Sequence, residues 1–155
     1  MNLLANAIKC AALGTIGKDG TANMAASVTF EIDDAVEWLE AFESDGAASI
    51  QATLDTLLEM DAADYIEATD AAHGLAAAEM VAAARDDDIS RLPKNIHVAF
   101  KEHKGEIEDA DLAASARKVV ARILKNSELK DEAEAGDDAE EWADDIRELL
   151  ERLKG

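Results

Sequence analysis

The residues able to do chemistry are few and scattered. His97 and His103 lie six positions apart, which on a helix is about 240° of rotation, so they do not share a face. His73 falls in a different segment. No H-E-x-x-H, no Glu-x-x-His pair and no cysteine cluster occurs, and these are the spacings that put metal ligands on one side of a helix or turn. Asp86, Asp87 and Asp88 lack the glycine and the distal glutamate of a calcium loop. The single cysteine, Cys10, has no evident partner for nucleophilic work, and one cysteine makes no disulfide framework. No G-x-S-x-G or phosphate-loop Lys-Ser/Thr pattern follows Gly14 and Gly17. The sequence therefore predicts no catalytic residue, no metal site and no cofactor.

Glu79 is the residue that stands out. Its neighbours three and four positions away are Leu75, Ala76, Ala82 and Ala83, so its carboxylate is expected to be buried. A buried carboxylate needs a cation or hydrogen-bond donors, or it holds its proton. Two readings follow. In one, Glu79 forms an internal ion pair, with Arg117, Arg122 or Arg91 as candidate partners. In the other, it is a tuned acid or ligand-binding group between helices. Asp33, Asp34, Trp38 and Trp142 complete the candidate set. The segments DDAVEW (33–38) and DDAEEW (137–142) echo each other, each with two acids at a helix start and a tryptophan one turn in. Either this is one capping solution used twice, with both tryptophans in the core, or it is a pair of acidic-aromatic patches for a partner.

The elements that must hold these residues read as helices. From Asp33 the helical signal begins, and the capping-box spacing of Asp34 to Glu37 starts a helix through Glu43. A second runs over about 47–60, with Ile50, Leu54, Leu57 and Leu58 on one face. Residues 61–67 connect, with Tyr65 and Ile66 expected on the core. Asp70 is expected to cap an alanine-rich helix to about Arg85, apolar all round and hence central. Leu92-Pro93 opens another helix, expected to close at Lys104-Gly105. Asp109 or Asp111 opens the next, carrying the stripe Leu112, Ala116, Val119, Val120, Ile123, Leu124. Ser127 starts a further helix, Gly136 breaks it, and the last carries Trp142, Ile146, Leu149, Leu150 and Leu153. The expectation is an all-α, compact bundle of six or seven short helices in a single domain, preceded by a weakly patterned arm over residues 1–29. Within the arm, residues 1–13 could form a short helix, and 27–30 an extended stretch.

Composition sets the outer limits. The chain has 155 residues, 35 acidic against 15 basic, a net charge of −20, and 4% aromatics. That length suits one domain, at about 100–200 residues each. Alanine, the best helix former, makes up 33 positions, which agrees with the helical reading. No 20–50-residue repeat marks a solenoid. No run approaches the roughly 20 apolar residues of a membrane span. The charge argues against nucleic acid, whose phosphates are bound by Lys and Arg, and against an anionic membrane surface. Residues 1–13 lack a basic leader and are interrupted by Lys9, so they fit an export signal poorly, and a cytoplasmic location is expected. An acidic surface keeps a protein soluble, and it also suits a basic partner protein, which it would attract in a salt-sensitive way.

FEIDDAVEWL (30–39) resembles the second half of the opening signature W-G-x-G-x-F-x-N-D-x-A-x-D-W of a bacterial family of small helical proteins catalogued as a domain of unknown function. LAAAEMVAA (75–83) is similar to its alanine-rich central helix, and Leu92-Pro93, Ser127-Glu128-Leu129 and Trp142 fall in its order. The resemblance spans about residues 30–153. In place of W-G-x-G stand Ala25, Ala26, Ser27 and Val28, the family's Asn is Ile32, and Ala133 lies near an expected Trp. The family implies an all-helical single domain and brings no activity. The leading expectation is a non-enzymatic acidic interaction module that neutralises a basic partner. The alternatives are a small-molecule binder or enzyme with a site around Glu79, and a homodimer built on Trp38 or residues 1–13.

Overall fold

A computed structural model describes residues 28–154 except 62 and 138. The helix expected within 1–13 and Cys10 lie outside them. Among the described residues the chain is all-α, a single domain of seven α-helices: α1 (Asp33–Asp45), α2 (Ala47–Glu59), α3 (Ala68–Asp86), α4 (His97–Ala110), α5 (Ala113–Lys125), α6 (Glu128–Ala135) and α7 (Ala139–Lys154), with 3-10 turns at Val28–Glu31 and Lys94–Ile96. The stretch read as extended at 27–30 is thus a 3-10 turn over its described residues.

α3 is the axis of the fold. Of its 19 residues, 13 are buried, and it packs against every one of the other six helices. Its sequence permits this, because alanine side chains let neighbouring backbones approach closely while still covering one another. Gly74 marks one close approach: a Cβ there would meet Leu57 Cδ1 at 2.6 Å, Val119 Cγ1 at 3.0 Å and Ile123 Cδ1 at 3.1 Å. Around this axis α1, α2, α5 and α7 each lay one apolar stripe inward. Phe42, Ile50, Leu54, Ile123 and Ile146 are completely buried.

Several helix ends differ from the sequence expectation, each for a physical reason. α1 begins at Asp33 behind Ile32, with no side-chain cap. Ile32 is extended and serves as the N-cap, so Asp33 and Asp34 sit inside the first turn, where their charge favours the positive helix end. Asp70 does not cap α3. That helix opens at Ala68, whose N–H donates to Glu128 Oε1 of α6 at 2.8 Å, a partner 60 residues away. α4 runs through Gly105 to Ala110, because Ile107 beyond the glycine is buried and draws the helix on. Neither Asp109 nor Asp111 caps α5, whose N-cap is Leu112. The same D-x-x-E spacing recurs from Asp138 to Glu141, and Asp138 lies outside the described residues. Ser127 does cap α6, accepting from Lys130 N–H at 3.1 Å.

Ile66 is tied down by its backbone. Ile66 forms a parallel bridge to Ser127, with Glu128 N–H donating to the Ile66 carbonyl at 2.8 Å. Ile66 is buried as expected. Tyr65 is not: it is 46% exposed, its ring outside the core and its hydroxyl donating to Asp131 Oδ2 at 2.6 Å.

Candidate functional site

The charged centre of the molecule is built on α3. Glu79 is fully buried, and both carboxylate oxygens accept from guanidiniums. Arg91, in the connection after α3, donates Nε to Oε1 at 3.3 Å and Nη2 to Oε2 at 3.1 Å. Arg152 of α7 donates Nη1 to Oε1 at 3.2 Å. Arg91 also reaches Asp145 Oδ1 at 2.8 Å and Glu148 Oε2 at 2.7 Å, and Arg152 reaches Asp86 Oδ2 at 2.7 Å. Of the three arginines considered from sequence, only Arg91 is a partner. Arg117 donates to the Leu153 carbonyl at 3.0 Å. Arg122 donates to the carbonyls of Leu57, Met60 and Asp61, closing the C-terminal end of α2, where a cation complements the helix dipole.

Two guanidiniums thus serve four carboxylates. Burial pushes the Asp145 carboxyl above its usual range, with Arg91 opposing and Glu79 adding to the rise. The folded protein therefore holds this proton more tightly than the unfolded chain, and this contribution to stability falls as pH rises through the carboxylate range. For Arg91, burial acts to lower the pKa, but Glu79 and Asp145 outweigh it and the net shift is upward, so it stays a cation throughout. A carboxylate clamped this way is poorly placed for proton transfer. Its evident work is to staple α7 and the α3–α4 connection to the axis.

The other candidates do not join Glu79. Asp33 is exposed. Asp34 Oδ2 accepts from Thr69 Oγ1 at 3.0 Å, tying α1 to α3. Trp38 is buried, donates Nε1 to Thr53 Oγ1 at 2.9 Å and stacks on Phe42 with centroids 6.0 Å apart. Trp142 is buried, and its Nε1 has no hydrogen-bond partner among the described residues. The echo between 33–38 and 137–142 therefore places both tryptophans in the core. His97 Nε2 donates to the Leu92 carbonyl at 3.0 Å, and His103 lies edge-on to Phe42 at 5.5 Å. Among the described residues no three His, Cys, Asp or Glu side chains are grouped to hold a metal ion, and no helix is long and apolar enough to cross a membrane.

A feature of the charge distribution escaped the sequence reading, although it is written there. From residue 19 to residue 84 there is no Lys or Arg, against fifteen acids. In the fold this becomes a surface. Asp33, Glu37, Glu40, Glu43 and Asp45 on α1, Asp55 and Glu59 on α2, and Asp61, Asp64 and Glu67 beyond it are all exposed. Every described ion pair is made by an acid at or after Glu79. The signal was present as a gap in the cations, which counting acids along the chain does not show.

No curated protein and no solved structure matches the chain. One family model does, that of the domain of unknown function DUF4259, over residues 26–145. This match takes in α1 through α6, the start of α7, and Glu79, Arg91 and Asp145 of the charged cluster. The chain belongs to the DUF4259 family.

Proposed function

We propose that this protein is a non-enzymatic interaction module whose α1–α2 face binds a basic partner protein. The observation that supports this reading is the absence of any Lys or Arg over residues 19–84, combined with exposed acids on α1 and α2 that make no ion pair among the described residues. Elsewhere the molecule compensates its acids, with Lys104 on Glu108, Lys130 on Glu134 and Arg147 on Asp144. A face whose own helices supply no Lys or Arg attracts a positively charged surface, speeds the encounter and makes it salt-dependent. Neutralising such a partner is the activity this chemistry suits. Glu79 favours a structural role over a ligand-binding one, since its oxygens are already taken by Arg91 and Arg152.

The test compares two charge variants as baits in native cell extract at low and high salt. One carries Glu37→Gln, Glu40→Gln and Glu43→Gln on α1. The other carries Glu140→Gln, Glu141→Gln and Asp144→Asn on α7, with the same formal change. The expected result is a basic protein retained at low salt by the wild type and the α7 variant, lost by the α1 variant, and released as salt rises. Equal loss from both variants, or a partner indifferent to salt, overturns the proposal.

A further inference from the structure

Where α3 ends, α4 ends and α5 begins, the surface opens into a cavity of about 230 Å3. Its apolar wall is formed by Val81 and Ala84 of α3, Ile107 of α4, and Leu112 and Ala113 at the start of α5. All five are buried in the sense that little of each side chain meets solvent. Three charged residues, Arg85, Glu108 and Asp111, also line it. Glu79 is not among its residues.

The charged residues are what set this cavity apart. Glu108 is occupied, accepting from Lys104 Nζ at 2.9 Å. Arg85 and Asp111 are not. Among the described residues, Arg91, Arg117, Arg122, Arg147 and Arg152 each donate to an acceptor. Arg85 alone of the arginines makes no side-chain hydrogen bond or ion pair, in a protein with 35 acids. The Asp111 side chain is likewise without a partner among the described residues, and the two do not pair with each other although they line the same cavity. An unpaired cation and an unpaired anion beside an apolar wall match a ligand that carries both charges and an apolar tail.

We propose that this cavity binds a small zwitterion, a free α-amino acid with a branched apolar side chain. Its carboxylate faces Arg85, whose fork suits two carboxylate oxygens. The amide end of α5, where Leu112 supplies no side-chain cap, adds a positive helix end on the same ligand group. Its ammonium group faces Asp111. Its side chain covers Val81, Ile107 and Leu112. The size is selective, since drug-sized ligands take roughly 300–1,000 Å3 and this cavity is smaller. The proposal is independent of the acidic face and of its partner.

The full chain is titrated calorimetrically with L-leucine, with 4-methylpentanoate, which lacks the ammonium group, and with 3-methylbutylamine, which lacks the carboxylate. Leucine is expected to bind with Kd of about 1 mM or tighter, and each single-charge analogue at least about tenfold more weakly. Arg85→Ala and Asp111→Asn, both at exposed positions, are each expected to weaken leucine by about tenfold, and Asp111→Asn to abolish the preference for leucine over 4-methylpentanoate. Asparagine tolerates the left-handed backbone at this position (φ 52°), so the fold is retained, as circular dichroism checks. No heat with leucine overturns the proposal. So does amine binding equal to leucine binding, which would show only cation condensation on an acidic protein, and so does leucine binding unchanged in Arg85→Ala.

Discussion

Glu79 shows how one side chain couples distant parts of a chain. It draws Arg91 and Arg152 from 12 and 73 residues away onto one carboxylate. Removing one partner of a buried pair leaves the other's charge uncompensated, at a cost of about 3–5 kcal/mol. Glu79→Ala is therefore expected to lower the free energy of unfolding by about 3–5 kcal/mol in urea denaturation. A loss under about 1 kcal/mol would show that Asp145, Glu148 and Asp86 suffice to hold both arginines. Tyr65 gives a second test, a clean one because it is the only tyrosine. Its hydrogen bond to Asp131 pushes the phenol up to about 12. The stability linked to this proton is present below the ordinary value near 10 and is lost as pH rises from about 10 to about 12. Ultraviolet titration should place the phenolate midpoint near 12, and Asp131→Asn should return it toward the ordinary value of about 10. Identical curves for the two proteins would remove the bond from the account.

At the scale of the element, two glycines of the same local kind have opposite roles. Gly105 interrupts the sequence pattern of α4, yet nothing lies within 4 Å of a Cβ built there. Its replacement by alanine only removes unfolded-state freedom and is expected to stabilise by about 0.5–1 kcal/mol. Gly74 in α3 has Leu57, Val119 and Ile123 pressed against its backbone. Gly74→Ala overpacks this contact and is expected to destabilise by about 1–3 kcal/mol. Thermal unfolding of the two variants beside the wild type reads both signs at once, and equal signs would refute the packing described for α3. The same contrast explains why α4 continues past the glycine that the sequence pattern offers as its end. A glycine in a helix looks like a stop until the burial of Ile107 beyond it is known.

For the whole molecule the governing quantity is the charge of −20, unevenly spread. The cations lie mostly on the later helices, so α1 and α2 repel themselves without internal compensation. Salt screens this repulsion, with a Debye length of about 8 Å at physiological ionic strength. The folded state should therefore gain stability as salt is added. A gain of about 1 kcal/mol would raise the melting temperature by about 2–4 °C for a chain of this size. A melting temperature that falls with added sodium chloride would show that ion pairs such as those of Glu79 outweigh the repulsion, and would weaken the case for an uncompensated α1–α2 face.

Residue types and their spacing suffice for the helical class, the central place of the alanine-rich helix, the burial of Glu79 and the inward stripes of α5 and α7. These follow from a periodicity of 3.6 residues, which is local and survives in any arrangement of the helices. The sequence also contains the cation-free stretch, though only as an absence. The tertiary structure alone decided which arginines meet Glu79, that Glu128 rather than Asp70 caps α3, that Tyr65 lies outside the core while Ile66 is inside it, and that Arg85 and Asp111 line one cavity unpaired. Each of these joins residues tens of positions apart or depends on how three helix ends meet. No local pattern carries that information, because it is fixed only when the helices pack.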